Sequence, residues 1–189
     1  MQLMKHRTEN AKRGHLRGRR PVRALLGVLA CTTVVAGLLV SPAASAAASG
    51  NAQLAGVRAA TAAYHDVGTA ETAGYLLLPL PCFDKPGVGG MGIHYLKGKL
   101  VSSTPTADEP QVLVYEVAGD QQYLVAVEYI VPYALVPTTA SAPNLFGQDF
   151  HHNDALGLWY LHAWIWRQNP LGMFADYNPK VALCPAHSS

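Results

Sequence analysis

The sequence predicts an α+β fold: one or two N-terminal helices, then an antiparallel sheet of about four or more strands, packed on the helix or curled into a partial barrel. Three observations lead there. Apolar residues recur at helical spacing across residues 52–65, the period falls to two from Ile93 onward, and one pair of alternating runs is joined by a hairpin-length connection. The chain has 189 residues, 50% hydrophobic and 14% charged, enough for one well-buried domain and hardly for two. That composition excludes a disordered tail or a collagen.

Asn51 can cap a helix in which Leu54, Val57, Thr61 and Tyr64 recur three and four residues apart, so a helix is expected from about Ala52 to His65. Thr69 offers a second cap and Gly74 a stop for a one-turn helix before the apolar run Tyr75-Leu76-Leu77-Leu78. Pro79, Pro81 and Pro86, with Gly87, Gly89, Gly90 and Gly92, keep the next segment irregular. Strands are expected at Gly92–Leu96, Gln111–Val117, Tyr123–Val131 and Leu158–Arg167. The middle two form a hairpin through Ala118-Gly119-Asp120-Gln121. Ser102–Pro110 and Pro137–Pro143 have loop composition, and Asn169-Pro170-Leu171-Gly172 and Asn178-Pro179 read as turns. The sixteen aromatic residues all follow Ala46 and give the sheet a large apolar payload.

The N-terminus reads as an export signal. Eight basic residues from Lys5 to Arg23 precede the uncharged run Ala24–Val40 and the small residues Ser41–Ala46, so residues 1–46 are expected to be a signal peptide cleaved after Ala46. A single secreted α+β domain, residues 47–189, would remain. The alternative is a membrane anchor formed by residues 24–40, at the short end of what spans a bilayer; after cleavage no stable membrane insertion is expected. Arg19-Arg20 only loosely matches a twin-arginine signal, which leaves the export route open. The remaining 143 residues carry six basic and eleven acidic side chains, a net charge of −5. Nucleic acid is therefore not an expected partner, because the basic footprint that phosphates require is missing. With Cys31 removed, Cys82 and Cys184 are left in an oxidising compartment, and a disulfide between them is the expected pairing. A reactive Cys82 is the rival reading.

Polar residues on apolar strands carry the functional argument. Side chains alternate across a strand, which puts Leu124, Ala126, Glu128 and Ile130 on one face, and His162 with Leu158, Tyr160, Trp164 and Trp166. His94 falls on the face of Gly92 and Leu96. A charge among such neighbours must be paired, hydrogen-bonded or neutralised. One reading makes all three satisfied core polars, with each histidine bonded to a carbonyl or Tyr hydroxyl and Glu128 paired with Arg167 or a lysine. The second makes His94, Glu128 and His162 ligands of a divalent metal with open coordination positions, and the third a metal-free acid–base pocket. His151 and His152, in the loop Gly147–Asp154, are weaker metal candidates, able to close such a site or simply solvated. His65, at a helix end, reads as a dipole partner, and His187 lies near the terminus.

The glycine cluster Gly87–Gly92 enters a strand rather than a helix and lacks a following Lys-Ser or Lys-Thr. It therefore reads as a close backbone approach near His94, or a bulge, and not as a phosphate cradle. No Gly-x-Ser-x-Gly elbow occurs. Gly90-Met91-Gly92-Ile93-His94-Tyr95, Val127-Glu128-Tyr129 and His162–Phe174, with its His-x-Trp-x-Trp and Asn-Pro-x-Gly elements, together resemble a group of small secreted bacterial proteins of unknown function. That resemblance, over about Val57 to Cys184, implies one exported domain and brings no activity, cofactor or catalytic residue with it.

Two functional expectations follow. The first is a secreted metal- or small-ligand-binding protein with its pocket at His94, Glu128 and His162, where an ion with a free position would permit hydrolytic or oxidative chemistry. The second is a non-catalytic binding or structural module using the aromatic strand of Trp159, Trp164 and Trp166. Neither specifies a substrate, the identity of the metal, enzymatic activity or the oligomeric state.

Overall fold

Asp66, in extended backbone, accepts a hydrogen bond from the Thr69 amide and so starts a short helix, α2 (Val67–Thr72). The cap is therefore Asp66, not Thr69. Before it runs α1 (Pro42–Thr61), which tightens into a 3-10 turn at Ala62–His65. From Gly50 on, Leu54, Val57 and Thr61 are its buried residues, as their spacing requires. The computed structural model describes residues 42–184 apart from Thr138, with side-chain environments from Gly50 on. The basic stretch, the run 24–40, Cys31 and His187 lie outside the described residues, and the expected cleavage point falls within α1. Among the described residues no helix is long and apolar enough to cross a membrane.

The strands are β1 (Leu76–Leu77), β2 (Phe83–Lys85), β3 (Gly89–Leu96), β4 (Val112–Ala118), β5 (Gln121–Pro132), β6 (Asn144–Leu145), β7 (Gln148–Asp149), β8 (His151–Asn153) and β9 (Leu158–Ala163). Seven of them form one antiparallel sheet in the order β1-β3-β4-β5-β9-β8, with β2 also on β3; β6 and β7 make a separate hairpin. The sheet is open, with β1 and β8 at its ends, so the fold is α+β with the helix before the sheet and not a closed barrel. Gly119, at φ +61, opens the two-residue turn between β4 and β5, where Ala118 faces Gln121.

One face of the sheet packs against α1. Leu54 and Val57 meet Leu113, Tyr115, Val127 and Tyr129 there. The opposite face carries Val112, Val114, Ala126, Ile130 and Trp164, together with Val181 from the C-terminal segment. Two findings revise the strand faces expected from the sequence. A bulge inserts Val125 into β5, so that Tyr115 faces Leu124 while Val114 faces Ala126. Leu124 thus belongs to the helix-side core, and Ala126, Glu128 and Ile130 to the other face. The Val125 carbonyl accepts the Trp166 and Arg167 amides, which satisfies the bulged backbone. The last strand ends at Ala163, earlier than expected, and Trp166 turns to the helix side, donating from Nε1 to Thr61 at 3.1 Å.

The glycines on β3 have a steric role. A Cβ on Gly90 would collide with the Ala182 carbonyl, and one on Gly89 with the backbone of Asn178. Both side chains are absent because the C-terminal segment lies directly on β3, joined by the Gly90–Asn178 bridge. Gly92 holds φ +113 against the Tyr115 carbonyl. The sequence expectation of a close backbone approach beside His94 is met. Cys82 and Cys184 are disulfide-bonded, with their Cα atoms 5.7 Å apart. The Cys184 amide donates to Asp84, and the Ala182 amide to Glu116, whose carboxylate also pairs with Arg167.

Candidate metal centre

His94, Glu128 and His162 converge on the sheet face opposite α1. Glu128 and His162 are direct partners in the β5–β9 register, so their side chains emerge side by side. His94 comes from β3, with β4 intervening; the β4 residues on this face are Val112 and Val114, short enough for longer side chains to meet above them. The β5 bulge matters here. Counted from the hairpin without an extra residue, Glu128 would share the face of Leu124, against the helix; the insertion re-aims it toward the histidines.

The two imidazole Nε2 atoms lie 3.6 Å (His94) and 3.7 Å (His162) from the Glu128 carboxylate oxygens. One potential ligand atom from each of the three residues lies within 4.8 Å of the others. The two carboxylate–imidazole distances are too long for hydrogen bonds and slightly wider than the roughly 3.3 Å edge of a tetrahedral site with bonds of about 2.0–2.1 Å. Sub-ångström to ångström side-chain shifts would close them on one ion. His162 is 1% exposed, and all three residues are buried.

Burial governs the protonation states. It pushes Glu128 up to about 8, aided by the nearby Asp176 carboxylate, and His94 down to about 4. His162 is held well below its ordinary value by burial, then by His94 and His151. The close carboxylate and imidazoles are therefore neutral groups at neutral pH rather than ion pairs, because desolvation disfavours both charges. Neutral imidazoles present lone pairs, and a divalent cation would supply the charge that ionises Glu128.

The described residues do not supply the hydrogen bonds that the satisfied-core reading calls for. Nδ1 of His94 and both ring nitrogens of His162 are buried with no hydrogen-bond partner among the described residues. Arg167 is taken by Glu116 and does not pair with Glu128. The rings are oriented by aromatic packing instead of by hydrogen bonds. Phe83 meets His94 edge-to-face at 5.4 Å, and His162 lies between Tyr160 at 5.7 Å and Trp164, stacked at 6.1 Å.

The trio lies at a cavity of about 130 Å³, severalfold the roughly 10–15 Å³ one ordered water needs. Leucines and Phe83 dominate its wall, while Asn153, Tyr160 and Tyr177 add polar groups. Sequence reasoning missed Phe83 and Tyr177, since neither β2 nor the C-terminal segment announces which strand it packs on.

His151 and His152 do not join the cluster. His151 Nδ1 is 2.8 Å from Asp176, and His152 Nδ1 is 3.5 Å from Asp154, both at the exposed edge strand β8. In the aromatic strand, Trp159 is half-buried and meets Tyr133 and His152 edge-to-face, while the other two tryptophans pack inward. Trp164 is core, its Nε1 donating to the Ala175 carbonyl, and Trp166 packs on His65 and Thr61.

Comparison with known proteins finds no matching family model, no matching curated protein and no matching solved structure. The functional reading accordingly rests on the chain's own residues.

Proposed function

We propose that this is a secreted metal-binding protein that holds a first-row divalent ion such as zinc through His94, Glu128 and His162. The observation that carries the reading is the convergence of two buried imidazole Nε2 atoms on one carboxylate, that of His162 having no hydrogen-bond partner among the described residues. Left alone, the His162 Nε2 costs about 1–3 kcal/mol of desolvation, which ligation relieves. Two imidazoles and a carboxylate suit zinc and its first-row neighbours, and three protein ligands leave at least one coordination position open toward the cavity. The disulfide is consistent with an oxidising, extracellular location.

Elemental analysis tests the proposal. Protein incubated with zinc and passed through a desalting column is expected to retain about one ion per chain, the stoichiometry of one three-ligand site. His94→Ala or His162→Ala should weaken binding at least about 100-fold, the upper end of what losing a mere outer-shell partner does. Wild-type protein that emerges metal-free would overturn the assignment.

A further inference from the structure

The cavity beside the three ligand residues is apolar on most of its wall, and its polar groups gather at His94, Glu128, His162, Asn153, Tyr160 and Tyr177. Among the described residues no lysine or arginine lines it. Among the three ligand residues only Glu128 is anionic, so a divalent ion would keep one positive charge within its coordination sphere, which a single anionic ligand balances; the nearby Asp176, bonded to His151, lies outside that sphere and makes a dianion less welcome still. In an apolar setting that surplus charge is expensive to leave unpaired. Beyond the ion's open positions the wall offers Leu78, Leu80, Phe83, Ile130, Leu156 and Leu158, surface that only an apolar group covers favourably. Leu80 and Leu156 are partly exposed, which places the apolar wall at the mouth as well as at depth. We infer that the pocket binds a small amphiphile, a monocarboxylate whose head completes the coordination of the ion and whose short aliphatic tail lies along the leucine-rich wall. This rests on the metal assignment above and adds the class of ligand to it.

The test uses protein loaded with cobalt(II), whose visible spectrum reports a change of ligand at the ion, after elemental analysis has established the loading. Acetate, butyrate and hexanoate are titrated in turn, with inorganic phosphate and succinate as dianionic comparisons. Affinity is expected to rise about threefold to fourfold per added methylene, the gain from burying one such group, and phosphate and succinate should bind no more tightly than acetate. Leu156→Ser, at an exposed position outside both hydrophobic cores, should reduce the hexanoate-to-acetate affinity ratio at least about threefold, with its melting temperature showing that the domain is intact. A loaded protein with equal affinity across the series, or with phosphate preferred, overturns the amphiphile inference and leaves the metal assignment standing. Failure to load cobalt overturns both.

Discussion

Replacing Glu128 by Gln is expected to abolish metal binding and, in the metal-free protein, to raise stability at alkaline pH. The two effects have opposite signs because the carboxylate is an asset with an ion beside it and a burden without one. Burial places Glu128 at about 8 in the folded chain against an ordinary value of 4.5. Between those values the native state holds a proton that the unfolded chain has released, so stability falls as pH rises through that window. His94 runs the other way. Its value drops from 6.5 to about 4, so the unfolded chain holds the extra proton between them and stability climbs with pH over that range. His162 is shifted in the same direction as His94. The metal-free wild type should therefore be most stable near pH 6.5 and lose on the order of a few kcal/mol by pH 9. For a domain of this size that is a fall in Tm of roughly 5–10 °C.

Glu128→Gln keeps the shape and removes the ionisable group, so its Tm should stay level above pH 6.5. Zinc should erase the alkaline decline of the wild type, because the ion stabilises the ionised carboxylate, and should leave the variant unmoved. At a free concentration 100 times Kd, the wild type should gain about 2.7 kcal/mol. Melting curves between pH 5 and 9, with zinc or with a chelator, check each of these. A variant that declines like the wild type, or that still responds to zinc, would remove Glu128 from the site.

The double substitution Cys82→Ser with Cys184→Ser is expected to have the second-largest effect. The bridge joins residues 102 apart, and the chain-entropy account gives about 4–5 kcal/mol for a loop of that length. The bond also holds parts of the cavity wall. Phe83, next to Cys82, packs on His94, and Tyr177 belongs to the C-terminal segment that the disulfide ties to β2. Loss of the bond should thus loosen metal binding as well, roughly tenfold, the low end of what disturbing the residues around a ligand does. Urea titration and zinc competition measure the two effects separately. Wild-type stability in the double variant would show that the backbone contacts between β3 and residues 178–182 suffice without the covalent tie.

The main parts of this arrangement were legible in the sequence for identifiable reasons. Helical spacing of Leu54, Val57 and Thr61 marked the buried stripe of α1, and Gly119-Asp120 between two alternating runs marked the β4–β5 hairpin. The two histidines and Glu128 were conspicuous because each interrupts an apolar strand. What could not be read was how the strands align. The Val125 bulge leaves no compositional trace, yet it decides which face Glu128 occupies. The short strands β1, β2 and β8 are too brief for periodicity to register, and their pairing comes from tertiary contacts. His151 and His152 are adjacent histidines, but their exposed place at the sheet edge gives them Asp176 and Asp154 as partners. The end of β9 at Ala163 sends Trp164 and Trp166 to opposite cores, which the aromatic run alone does not disclose.

X-ray absorption at the zinc edge of the loaded wild-type protein is the most direct measurement of the central claim. The account predicts a first shell of nitrogen and oxygen at about 2.0–2.1 Å, with outer-shell scattering from two imidazole rings that falls to one ring in His162→Ala at saturating zinc. A spectrum without imidazole scattering, or one that the substitution leaves unchanged, would place the ion elsewhere and contradict the assignment.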